Sequence, residues 1–312
     1  MTRIGLISAA TYRYLDQPVR NGSHHGTAFA STFNGFDEAE VKKHEWTFVR
    51  AQERIEGAKV VKVWDRDKAW AERLAKACDI PMVTDMPEEC SDDVDVCIIV
   101  DDGSGEQSKY AEAPLRKGIP TFCDKPLSMT AKQAKAVADL AHETGTPFMS
   151  SSSLRFVPDI VALRDEVEKI GPVPVSQVIC GNELVYYGIH ALSMAYSVLG
   201  GGAISAVNVG KEGMNIVRIR FEDDRDVLLL VGDRDTMRSG YQISLYGKKG
   251  WKTVTPDLKN LYRYLLVEFL DYVKTGKEPY PLEQEVELIA ALEAGKRSLE
   301  EKREVLISEM FE

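Results

Sequence analysis

Short, almost uninterrupted apolar runs alternate with amphipathic stretches through the first 125 residues, which predicts a parallel sheet covered on both faces. Residues 4–7, 59–64, 82–83, 94–100 and 119–123 read as its strands, and residues 147–150 as a further short one. Helical spacing predicts helices over 26–34, 37–56, 107–117 and 130–144. Another follows Asp67, with Trp70, Ala71, Leu74, Ala75 and Cys78 on one face. Residues 12–25 have no helical period and read as a polar loop leading to the first helix. Thr130 is placed to cap the helix behind it, with Gln133 completing a capping box.

The period changes after residue 125. A helix over 161–170 stops at Gly171-Pro172, and segments at 175–180, 204–209, 215–221, 227–231 and 241–246 then alternate as strands. Asp223-Asp224 and Lys248-Lys249-Gly250 are turn signals among them. A helix over 189–199 interrupts the strands, helices over 261–273 and 283–301 follow, and residues 305–307 form a last short strand. The expectation is an α/β domain on a parallel sheet, residues 1–125, and an α+β domain on a large, mostly antiparallel open sheet, residues 126–312. Ligands favour the cleft between such domains, with the early strand ends on one side and the 151–155 and 181–193 segments on the other.

Composition narrows the partners. The 312 residues carry a formal charge of -10, against a general nucleic-acid or anionic-membrane surface but compatible with an anionic cofactor in a local pocket. The five cysteines (Cys78, Cys90, Cys97, Cys123 and Cys180) include no CxxC pair. Neither a disulfide framework nor a thiolate zinc site is expected, and a reducing compartment, the cytoplasm, fits. Met1-Thr-Arg-Ile-Gly enters a strand directly without a signal-peptide pattern, and no apolar run is long enough to span a bilayer.

The chemistry gathers at residues 118–129, where a strand runs into Asp124-Lys125-Pro126 and then a strong helix start. Lys125 suits a reaction at an alcohol or carbonyl carbon, since an ammonium stabilises a developing alkoxide or relays its proton. Asp124 is its nearest orienting partner; the competing reading is an ordinary surface turn. His190, after Tyr186-Tyr187-Gly188, reads as a neutral acid–base group near a helix start, or as a histidine packed on those tyrosines. Asp65, at the end of the second strand, can accept both ribose hydroxyls of a dinucleotide and would repel a 2′-phosphate, favouring NAD over NADP; it can equally be a helix-capping acid. Ser8, Ala10 and Arg13 stand where a G-x-G-x-x-G turn would hold a pyrophosphate, with Arg13 able to bind phosphate directly. Asp102, after the 94–100 strand, joins these cofactor candidates. Arg155 and Tyr187 are substrate-binding candidates. His24 and His25 have no sequence neighbours suited to complete a metal site.

Asp124-Lys125-Pro126 resembles the Glu-Lys-Pro motif of the glucose–fructose oxidoreductase, inositol dehydrogenase and MocA family. Tyr186-Tyr187-Gly188-Ile189-His190 is similar to that family's Asp-x-Gly-x-His, and Thr275 to Pro279 with Glu293-Ala294 resemble its last helices. The resemblance covers essentially the whole chain. It implies a Rossmann-type domain followed by an open-sheet domain, hydride transfer between a sugar, cyclitol or related polyol and NAD (NADP less so), and a homodimer or homotetramer. Lys125 would hold the substrate hydroxyl, His190 would be the base with Tyr186 beside it, and Asp65 would be the ribose acid. Four features depart from the pattern. The glycine turn is absent, Tyr186 stands for the family's aspartate, Gln107 for a histidine, and Asp102-Gly103-Ser104 for Thr-Pro-Asn. A non-redox sugar-modifying enzyme and a non-catalytic sugar- or nucleotide-binding protein remain the alternatives.

Overall fold

The first apolar run is strand β1 (Thr2–Ile7), whose Ile4 and Leu6 are wholly buried in a computed structural model that describes residues 1–15 and 17–312. A small hairpin, β2 (Thr11–Tyr12) with β3 (Arg20–Asn21), follows where a loop was expected. Helix α1 (His24–Asn34) comes next, capped by Ser23, whose side chain accepts a hydrogen bond from Gly26 N. The helix expected over 37–56 is only one turn long, α2 (Glu38–Val41). Hydroxyls on α1 compete for the rest of that segment: Val49 N donates to Thr27 Oγ1 and Ala51 N to Ser31 Oγ, both at 3.0 Å. Trp46 also leaves helical geometry to lie against Phe48 and Trp70, with ring centroids 5.1 and 5.4 Å away. Tertiary partners override helical spacing here.

Strand β4 (Ala58–Trp64), helix α3 (Lys68–Ala77), β5 (Met82–Val83) and β6 (Val96–Ile99) continue as expected. The 107–117 helix is split into a 3₁₀ turn, Gln107–Tyr110, and α4 (Glu112–Arg116). Pro114 has no N–H to bond back to residue 110, so an unbroken helix cannot run through it. Then come β7 (Thr121–Asp124), α5 (Ala131–Thr144) and β8 (Phe148–Ser151). The sheet order β5-β4-β1-β6-β7-β8, with parallel pairing through its middle, is that of a Rossmann-type domain. Every residue of β6 is fully buried, as its unbroken apolar run demands.

The remaining elements are α6 (Pro158–Ile170), β9 (Val175–Gly181), α7 (Leu184–Leu199), β10 (Ala203–Asn208), β11 (Met214–Phe221), β12 (Asp226–Gly232), β13 (Gln242–Gly247), β14 (Gly250–Val254), α8 (Leu261–Thr275), α9 (Glu283–Glu301) and β15 (Val305–Leu306). Their seven-stranded sheet runs β14-β13-β9-β12-β11-β10-β15, antiparallel except where β9 meets β12. β14 was not expected, because Gly250 was read as a turn residue alone. The chain divides into one unit of Met1–Leu127, Ala136–Ser150 and Tyr262–Pro279, and another of Ser128–Lys135, Ser151–Leu261 and Tyr280–Glu312. No helix among the described residues is long and apolar enough to cross a membrane.

Candidate functional site

In the first unit the parallel register brings β1, β4, β6 and β7 to a common carboxyl edge. Ser8, Ala9 and Ala10 form a buried turn there, with Ser8 at φ 55°. Asp65, immediately after β4, accepts hydrogen bonds from Ala10 N (2.8 Å), Thr11 N (3.0 Å), Thr11 Oγ1 (2.7 Å) and Asp67 N (3.0 Å). Burial pushes its carboxyl above the ordinary value, and those four bonds pull the other way. Any ligand hydroxyl would therefore reach Asp65 only by exchange with bonds that shape the turn. Arg13 donates its N to Asp102 O at 3.0 Å and its Nε to Leu15 O at 2.9 Å. The close helix approach assigned to a third fingerprint glycine is supplied elsewhere: a Cβ on Gly26 would lie 1.9 Å from Ala9 O. A hairpin separates Gly26 from β1, so fixed fingerprint spacing missed it.

The amino end of α1 faces a carboxylate of the chain itself. Asp102 Oδ2 accepts Ser23 Oγ at 3.1 Å and His25 N at 3.2 Å. A helix terminus favours negative charge, which is why dinucleotide folds place pyrophosphate there. Burial works to raise the Asp102 pKa, but the charges of His25 and Lys125 outweigh it and hold the carboxyl below its ordinary value. His25 Nδ1 meets Asp124 Oδ2 at 2.5 Å, with the imidazole between Phe29 and Tyr262, 6.0 and 5.0 Å away. Burial depresses the His25 pKa, and Asp124 and Asp102 together overcome that effect and raise it. Asp124, expected as the orienting partner of Lys125, is bonded by a histidine 99 positions away in sequence, a distance that no local motif reveals. Lys125 is 2% exposed, and its carbonyl accepts Gln107 Nε2 at 3.2 Å. Gln107 consequently positions the backbone that carries the lysine. No group of three or more His, Cys, Asp or Glu among the described residues could hold a metal ion.

In the second unit α7 begins five residues before the expected start, because Glu183 caps it by accepting Tyr186 N at 2.5 Å. His190 consequently lies in the second turn rather than at the helix start, and the terminal dipole argument for its neutrality loses force. Its Nδ1 is instead held by Ser152 Oγ at 2.7 Å. Tyr187 and Tyr241 present rings 5.8 and 5.5 Å from the imidazole. Tyr186 is buried, 5.6 Å ring to ring from Tyr187. Ser152 is the partner that sequence reasoning missed, although it lies in the 151–155 segment expected to face ligand. Arg155, expected to meet substrate, is 2% exposed: its Nη1 lies 3.4 Å from Glu285 Oε1, its Nη2 bonds Gln284, and its guanidinium lies 3.6 Å from the Tyr280 ring centroid. The 3₁₀ turn Ser153–Arg155 directs it into this cluster. Burial pushes Glu285 up to about 7 while Arg155 and Tyr280 oppose the rise.

Residues 37–152 match the family model GFO_IDH_MocA, described as an oxidoreductase family with an NAD-binding Rossmann fold. The chain is 30% identical over 125 residues to the uncharacterized protein YMR315W of Saccharomyces cerevisiae, covering 39% of this chain and 36% of that protein. It is 24% identical over 195 residues to inositol 2-dehydrogenase 2 of Saccharopolyspora erythraea, covering 56% of each. The matched stretches therefore span about a third to a half of these curated relatives. The crystal structure of scyllo-inositol dehydrogenase from Lactobacillus casei with NAD(H) and scyllo-inositol aligns with a TM-score of 0.78, 14% identity and 99% coverage of both chains. That likeness is one of fold.

Proposed function

We propose that the chain, whose residues 37–152 match the Gfo/Idh/MocA oxidoreductase family, is an NAD-dependent oxidoreductase acting on a sugar, cyclitol or related polyol. The observation that carries this reading is Lys125, buried just past a central parallel strand, its carbonyl held by Gln107 and its neighbour Asp124 by His25. NAD, when bound, supplies the hydride acceptor. Ser8, Ala10, Arg13, Asp65 and Lys125 would hold it, the small buried turn and Gly26 keeping room for close backbone approach, while Asp102, expected among them, seats its own carboxylate where the pyrophosphate would lie. The Lys125 ammonium would stabilise the alkoxide of the reacting carbon. His190 would take the hydroxyl proton at Nε2, because Ser152 occupies Nδ1 and fixes the ring. Tyr186 and Tyr187 would shape the wall beside it.

Self-association as a dimer or tetramer and a cytoplasmic location belong to the same proposal. Exposed Tyr246 and Trp251, paired across β13 and β14, support the former, and five buried free cysteines support the latter. Calorimetric titration of nucleotide-stripped protein with NAD and NADP, each oxidised and reduced, followed by a polyol screen for hydride transfer, tests the reaction. Saturable NAD binding with turnover is expected. A second reading, a sugar-modifying enzyme without net redox change, draws on the carboxylate already seated at the amino end of α1. Folded protein that binds no nucleotide at millimolar concentration would remove the oxidoreductase reading and leave this one or a purely binding role.

A further inference from the structure

Strand order in the seven-stranded sheet creates a pocket that the proposed reaction leaves unassigned. β12 and β13 lie on opposite sides of β9, so the 233–241 connection must cross the carboxyl end of β9. Beneath this crossing is a cavity of about 470 Å³, lined by Asn182, Tyr187, Arg234, Arg238, Ser239 and Tyr241 among others. The rings of Tyr187 and Tyr241 both neighbour His190, so the cavity adjoins the candidate base. The crossing is a built turn: Met237 N donates to Asp233 O at 2.9 Å, and Asp233 Oδ1 accepts Asp235 N, Thr236 N and Thr236 Oγ1. Arg234, within that turn, and Arg238, just beyond it, both line the cavity.

The charge pattern is unusual for this chain. Every other arginine of the same unit has an ionic or hydrogen-bonding partner: Arg155 with Glu285, Arg164 with Ser197, Arg218 with Glu304, Arg220 with Asp226, Arg225 with Asp223, Arg297 with Glu301 and Arg303 with Glu309. Among the described residues, Arg234 and Arg238 have no such contact, in a chain of formal charge -10. The loop's acids do not cancel them at the cavity: Asp233 is engaged in its own turn, and Asp235 is not among the lining residues. Ser239 Oγ is buried without a hydrogen-bond partner among the described residues. Two guanidinium groups, an amide, a hydroxyl and two tyrosine rings together suit a ring bearing hydroxyls and one anionic group.

We infer that this pocket selects a polyhydroxy substrate carrying a carboxylate or phosphate, with Arg234 and Arg238 gripping the anion and the tyrosines flanking the carbon skeleton. The inference rests on the proposed oxidoreductase reading for its substrate, but the pocket can be tested without turnover. Calorimetry would compare D-glucose, D-glucuronate and D-glucose 6-phosphate on the parent protein and on the Arg234→Gln/Arg238→Gln double variant, with far-UV circular dichroism confirming that both are folded. At least one anionic ligand should bind the parent at least ~10-fold more tightly than glucose, and the double variant should lose that preference. The better anion identifies the group. Equal binding of all three ligands, or an anionic preference that survives in the double variant, overturns the inference. Anion selectivity without nucleotide binding would sink the oxidoreductase reading alone; NAD-linked turnover of neutral polyols without anion selectivity would sink only this one.

Discussion

Replacing Gly26 by Ala tests the packing that replaces the fingerprint turn. An added Cβ would lie 1.9 Å from Ala9 O and 2.6 Å from Ala9 C, both backbone atoms with no rotamer to give way. Opening the shorter contact to the 3.0 Å that real Cβ atoms respect requires α1 to move about 1 Å from the turn. Such a movement breaks or stretches the 3.2 Å bond from His25 N to Asp102 and the 2.5 Å contact from His25 to Asp124. Overpacking of this kind costs ~1–3 kcal/mol, and loss of a charge-assisted hydrogen bond adds ~1–3 kcal/mol. A destabilisation of about 3 kcal/mol is expected. Helix propensity alone acts in the opposite direction, since Ala is favoured over Gly by about 1 kcal/mol inside a helix. The sign therefore decides. Urea unfolding at fixed pH, followed by far-UV circular dichroism, should show a clear loss of stability in Gly26→Ala. Gly240→Ala, where a Cβ meets no atom within 4 Å, is the control and should stay within ~0.5 kcal/mol of the parent. A Gly26→Ala protein as stable as the parent would refute the close-approach argument.

Three further outcomes are expected. Lys125→Ala should lower kcat/KM at least ~100-fold on the substrate found by the polyol screen, and a variant within about twofold of the parent removes the lysine from the reaction. Ser152→Ala should lower kcat by about tenfold with little change in nucleotide affinity, because His190 loses the bond that fixes its ring; pre-steady-state kinetics would show whether proton transfer has slowed. Glu285 has its folded pKa raised to about 7 from an ordinary 4.5, so the folded state binds the proton more tightly than the unfolded one. Stability is therefore greater below pH 4.5 and falls as pH rises towards about 7, by roughly 3 kcal/mol from this group, and Glu285→Gln should flatten that slope in unfolding midpoints measured across the window.

The two sheets were legible because their strands obey opposite rules. β6 is buried on both faces and reads as unbroken Val-Cys-Ile-Ile, whereas β9 alternates buried and half-buried positions and reads with period two. Two helices went astray where side chains outside the expected span determined the helix's length. The 42–57 segment has enough apolar residues for a helix, yet hydroxyls on α1 capture its amides. α7 starts early because Glu183, an acid without the short side chain usual for a cap, reaches Tyr186 N. The place of Lys125 just past a buried strand was legible from strand, acid and proline in succession. His25, Gln107 and Ser152 were not, since each touches its partner across 99, 18 or 38 positions. Arg155 shows the opposite failure: it was a substrate-binding candidate, and the pairing with Glu285 that removes it from solvent lies 130 residues on.

The rebuilt turn changes what cofactor binding demands energetically. A glycine-rich turn leaves backbone N–H groups open for pyrophosphate, so binding adds hydrogen bonds where water was. Here Ala10 N and Thr11 N donate to Asp65, Gly26 N to Ser23, and His25 N to Asp102. A dinucleotide must exchange with these bonds, and its phosphates would meet a carboxylate held below its ordinary pKa. Removing that charge while keeping an acceptor oxygen isolates the effect. Asp102→Asn can still accept from Ser23 Oγ and His25 N, so the turn should hold, whereas repulsion of the pyrophosphate is relieved. Carboxylate–phosphate repulsion at a buried site of this kind is worth about 1–2 kcal/mol, and NAD should bind the variant roughly tenfold more tightly. Raising the salt concentration should narrow the difference between variant and parent. Unchanged or weaker NAD binding in a folded Asp102→Asn protein would mean that the carboxylate is not the dinucleotide's competitor at the amino end of α1.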